Sequence, residues 1–94
     1  MSDEPALTCD GFDEAIVGIT EHQPRRRTLV VYDVEKMIAI LMDRDGLSYE
    51  DAEEFLNFNT FGAWVGEGTP LFLRFKPPDV SIEEYLSEAF SGDV

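Results

Sequence analysis

"TLVVYDVEKMIAILMDRDGLSYEDAEEF", residues 28–55, changes its apolar period partway along, and that change decides the fold. Leu29, Val30, Val31 and Tyr32 form a short β-branched and aromatic run that reads as a strand. Val34, Met37, Ile38 and Leu41 then recur at helical spacing, and Ile40 and Met42 widen the stripe. Asp33 stands at the junction, where its carboxylate can accept from the free N–H groups of the first helical turn. Gly46 is placed to end that helix, because glycine takes the left-handed C′ conformation without a Cβ clash. Ser48 opens a second helix, and Asp51 three residues later makes a capping box with the shorter acid.

The acids of this corner also invite a calcium reading, since Asp43, Asp45, Asp51 and Glu54 fall at the first, third, ninth and twelfth places of a loop. Such a loop needs an oxygen ligand at the fifth place and a glycine at the sixth. Leu47 and Ser48 occupy those places, and Gly46 comes two residues too early. The pattern fits a helix–turn–helix corner with a solvated acidic face, and no metal is expected. DNA readout by the second helix is excluded on charge, because "YEDAEEF" would meet phosphates with carboxylates.

Outward toward the N-terminus, "DEAIVGITEH" (13–22) predicts a first strand through Ala15, Ile16, Val17 and Ile19. "QPRRRT" (23–28) is a loop, with Gln23 and Pro24 at the turn of a hairpin. Residues 1–10 read as a flexible arm and 11–94 as one compact domain. On the second helix Tyr49, Ala52, Phe55, Leu56 and Asn59 share one side, while Glu50, Asp51, Glu54 and Asn57 face away. That helix runs to about Gly62, before the glycine-rich "FNTFGAWVGEGTP" (58–70). "LFLRF" (71–75) predicts a third strand, stopped by Pro77 and Pro78. Ser81 and Glu84 form a capping box for a last helix, apolar at Ile82, Tyr85, Leu86 and Ala89 and acidic at Glu83, Glu84 and Glu88. The expected fold is α+β, a small antiparallel sheet of about three strands packed by two to three helices.

The 94 residues hold 20 acids against 7 bases, a net charge of −13. That field repels nucleic acid and anionic membranes and steers basic proteins toward the surface. Hydrophobic content of 44% excludes wholesale disorder. No apolar run is long enough to cross a bilayer, and no cofactor is expected.

Candidate chemical groups are sparse. Arg25, Arg26 and Arg27 form the single basic cluster, read as a loop that offsets neighbouring acids. His22 lies nearby without a nucleophile, and Cys9 has no base close in sequence. "GEG" (66–68) lacks the Gly-Lys-Ser/Thr of a phosphate loop. With no nucleophile–base set, the chain is not expected to be an enzyme.

Three segments carry a resemblance: "GFDEAIVGI", "VVYDVEKMIAILMDRDGLSYEDAEEF" and "FNTFGAWVGEGTPLFL", which together span residues 11–73. They resemble a small family of uncharacterised phage and prophage proteins. The resemblance implies a phage-type origin and a place in the host bacterial cytoplasm, and it transfers no catalytic residue.

Two functions follow as expectations. The first is an acidic binding protein that inhibits a host nucleic-acid-binding defence complex without catalysis, in the manner of anti-CRISPR or anti-restriction proteins. Its carboxylates would imitate a phosphate row toward a basic host protein or nucleoprotein complex, through Glu50, Asp51, Glu53, Glu54, Glu83, Glu84 and Glu88. The second is a small phage adaptor or oligomerising protein, a homodimer for instance, that binds through an apolar aromatic surface at Phe58, Phe61 and Trp64.

Overall fold

In the computed structural model, which describes residues 6–21, 27–62, 66 and 68–91, a 3-10 turn at Asp13–Ala15 leads into β1, Ile16–Ile19. β2, Val30–Asp33, pairs antiparallel with β1, so the expected hairpin forms. The register shifts between Ile16 and Gly18, which leaves Val17 as the extra residue of a bulge. The hairpin turn at Gln23 and Pro24 lies outside the described residues, as do His22, Arg25, Arg26 and Trp64.

The chain enters α1, Val34–Asp45, without an intervening loop. Asp33 makes this possible by ending the strand and capping the helix at once. Its Oδ1 accepts from the N–H of Glu35 at 2.9 Å and of Lys36 at 3.4 Å. Gly46 ends α1 with φ 70°, and its N–H donates to the Met42 carbonyl. Two residues on, the Ser48 hydroxyl accepts from the Asp51 N–H at 3.1 Å and opens α2, Tyr49–Leu56. The helix loosens into a π-helical segment at Asn57–Phe61 before β3, Leu71–Leu73.

β3 corrects one expectation. It pairs with β2 in parallel, so the three-stranded sheet, in the order β1-β2-β3, is mixed and not antiparallel throughout. A hairpin reverses direction in a few residues, whereas the α1–α2 segment is long enough to return the chain to the start of β2. β3 then runs the same way.

The core sits between the sheet and the α1–α2 pair. Phe12, Ala15, Tyr32, Val34, Met37, Ile38, Leu41, Ala52 and Leu56 are buried in it. Phe72 of β3 closes one end, its ring 5.8 Å from Tyr32 and 4.8 Å from Phe61. Within the segment read as an arm, residues 6–10 rest on this body. The Cys9 N–H donates to the buried Tyr32 hydroxyl at 2.7 Å, and the Leu7 N–H donates to the Gly68 carbonyl. Arg44 holds the next turn, donating to the Gly11 carbonyl while its guanidinium lies 5.4 Å above the Phe12 ring. A side chain at Gly11 would meet that guanidinium at 2.7 Å, and the backbone there has φ 87°.

The last helix, α3, Ile82–Phe90, is capped by Ser81, whose hydroxyl accepts from the Glu84 N–H at 3.1 Å. It buries none of its residues. Two helices therefore cover the sheet, and the third stands beside them.

Candidate functional site

The chemistry of this surface is set by where the cations go. Arg74, just past β3, reaches two acids at once: Nη1 lies 2.6 Å from Glu35 Oε2 and Nη2 lies 2.7 Å from Glu53 Oε2. The Tyr49 hydroxyl donates to the same Glu35 oxygen at 2.7 Å and accepts from Arg74 Nη1 at 3.2 Å. Partial burial works against the guanidinium charge, and Tyr49, Glu35 and Glu53 outweigh it, raising the Arg74 pKa above its ordinary value. The Arg74 carbonyl accepts from the Tyr85 hydroxyl at 3.1 Å. One residue thus ties α1 and α2 through its side chain and α3 through its backbone.

The other described cations are mostly used internally as well. Arg44 pairs with Asp45 at 3.3 Å. Lys76 donates to the carbonyls of Pro77 and Val80, at 2.8 and 2.6 Å, and folds the turn before α3. Arg27 also has a partner.

What remains is a set of carboxylates without cations. Glu50, Asp51 and Glu54 of α2 and Glu83, Glu84 and Glu88 of α3 are exposed, and among the described residues none of them forms an ion pair. Glu53 is set apart from this group, half-buried and turned to Arg74. Its spacing from Tyr49, at i and i+4, was the signal that the two share a side of the helix. The acids on α2 and α3 give both helices one sign of exposed charge, which attracts cations and repels anions. Among the described residues, no three His, Cys, Asp or Glu side chains come together to hold a metal.

The aromatic surface divides. Phe58 is 81% exposed, whereas Phe61 packs on Phe72 and is half-buried; Trp64 lies outside the described residues. A cavity of about 420 Å³ opens between the N-terminal segment, the π-helical segment and the start of β3, lined among others by Cys9, Phe12, Thr60 and Phe72. Burial pushes the Cys9 thiol up; a hydrogen bond with Tyr32 works against this, and nearby Asp10 adds to the rise. The thiol stays protonated at neutral pH and is a poor nucleophile. No described helix is long and apolar enough to cross a membrane.

Compared with protein-family models, curated proteins and solved structures, the chain shows no significant match to any of them. The reading of function therefore rests on the residues themselves.

Proposed function

We propose that this chain is a non-catalytic binding protein that meets a basic, nucleic-acid-binding host protein and blocks it, as an inhibitor of a defence complex would. The observation that carries this reading is the separation of charges. Arg74, Arg44 and Lys76 are engaged within the protein, while Glu50, Asp51 and Glu54 on α2 and Glu83, Glu84 and Glu88 on α3 are exposed and pair with no cation among the described residues. Carboxylates held on rigid helices offer a basic groove negative charge at fixed positions, as a phosphate backbone does. Because the caps fix both helices before binding, little ordering is required when the partner arrives. The phage-type segments are consistent with a target in the host cytoplasm.

The test is competition and salt. Binding to a basic nucleic-acid-binding protein recovered from a bacterial lysate should weaken as salt rises and should be displaced by DNA or RNA. Exchanging Glu50→Gln, Asp51→Asn and Glu54→Gln together should lower the affinity at least about tenfold, or about 1.4 kcal/mol. Binding that persists at high salt and tolerates the triple exchange would sink the proposal.

The adaptor reading has one observation in its favour, the 81% exposure of Phe58. It requires Phe58→Ala to weaken partner binding with the fold intact.

A further inference from the structure

α3 has a second side that electrostatics leaves unused. Ile82, Leu86 and Phe90 follow one another at i, i+4 and i+8, and they are 59%, 46% and 65% exposed. An amphipathic helix ordinarily places such a stripe against its own core. Here only Tyr85 turns to the body, through its hydrogen bond to the Arg74 carbonyl, and no residue of the helix is buried.

We infer that the Ile82–Leu86–Phe90 stripe is a docking face that seats in an apolar groove rimmed by Lys and Arg on the partner protein. The inference rests on the reading above for the partner being basic. Charge selects the occupant. From residue 77 to the end of the sequence the chain carries Asp79, Glu83, Glu84, Glu88 and Asp93, with no Lys, Arg or His. Glu83 borders the stripe, three residues from Leu86 and seven from Phe90, while Glu84 and Glu88 lie on the opposite side of the helix. A second copy of the chain would bring together two acidic helices that carry no cation, with Glu83 at the edge of each stripe, and an anionic lipid surface would likewise meet like charge. An apolar floor with a cationic rim complements both features of the helix.

The helix is also formed in advance. Ser81 caps it, Lys76 clips the turn before it through two carbonyls, and Tyr85 fixes its orientation on Arg74. Recognition then follows the helix-in-groove mode, with anchors one turn apart and little ordering cost.

The experiment places the photo-reactive residue benzoylphenylalanine at position 90 of the full chain, with position 39 on the exposed side of α1 as control. Each protein is irradiated in bacterial lysate, and the cross-linked peptide is sequenced. The expected adduct forms from position 90 and not from 39, in a partner segment that combines apolar residues with Lys or Arg. It should fall at least about tenfold when Ile82→Asp and Leu86→Asp are introduced, the loss expected when anchors leave an interface centre. Far-UV circular dichroism should show the fold of that variant intact, and Leu86→Ser serves as a second, milder probe. The inference is overturned by an adduct with a second copy of the chain, by recovery of the helix on lipid vesicles, by a partner segment without cations, or by no adduct. It is also overturned if the adduct survives the stripe exchanges yet disappears in the Glu50, Asp51 and Glu54 triple variant; that outcome leaves the electrostatic reading standing. The reverse pattern, loss with the stripe and indifference to both salt and the triple variant, removes the electrostatic reading instead.

Discussion

α1 and α3 are built by the same local rules and end in opposite circumstances. Each follows an oxygen-bearing cap, Asp33 or Ser81, and each carries an apolar stripe. α1 buries Val34, Met37, Ile38 and Leu41, while α3 buries nothing. Periodicity therefore tells which side of a helix is apolar, but not what covers it. The difference lies in how each is joined to the sheet. α1 emerges directly from β2, the central strand, and its stripe faces the core at once. α3 follows an extended segment and a turn, and touches the body at Tyr85.

Substitutions on the two stripes would break that contrast most sharply. Leu41 is fully buried, and Leu41→Ala should destabilise the protein by about 3 kcal/mol in urea unfolding, through lost contacts and a residual cavity. A small effect would place the core elsewhere. Asp33→Ala should cost about 1–2 kcal/mol, because two helix N–H groups lose their acceptor at a buried position. Ser81→Ala removes a similar bond, yet it should only open α3 locally by about 1 kcal/mol, seen as faster amide exchange in that helix with the urea midpoint unmoved. If the midpoint moves as far as it does for Asp33→Ala, α3 belongs to the cooperative core after all. Leu86→Ala should change global stability by less than about 0.5 kcal/mol.

Acid–base titration probes the core side of the comparison. Burial raises the pKa of Cys9 above its ordinary 9.0 and that of Tyr32 above its ordinary 10.0. In both cases the folded state holds its proton more tightly than the unfolded chain does. The stability they contribute is complete below those ordinary values and is lost as pH rises through the raised ones. Unfolding followed from pH 8 to 11 should show stability falling above about pH 9, and Cys9→Ser should reduce the early part of the fall. A flat profile would separate the Cys9–Tyr32 contact from stability.

Much of the architecture was readable in advance, for a reason that particular residues make plain. Asp33, Gly46, Ser48 and Ser81 act on backbone groups within a turn of themselves, so the helix boundaries follow from nearest neighbours. The same locality resolved the calcium-like spacing at Asp43–Glu54, where Gly46 and Ser48 serve a helix corner. Arg74 was not legible in this way. It is a lone cation after a strand, and its partners Glu35 and Glu53 lie 39 and 21 residues away in sequence. Glu53, counted with Glu50, Asp51 and Glu54 among the acidic contact residues, is instead paired with Arg74. The docking of residues 6–10 likewise depended on Tyr32, 23 residues beyond Cys9.

By itself the amino-acid sequence determined an acidic α+β chain, its helix starts and stops, its strands and the apolar side of each helix. These are short-range matters of backbone hydrogen bonding and period. Only the tertiary structure decided that β3 runs parallel to β2, that Arg74 draws Glu53 away from the acidic face, and that α3 leaves its stripe in water. Those outcomes depend on which distant groups meet, and contacts between distant groups are settled by packing the whole chain.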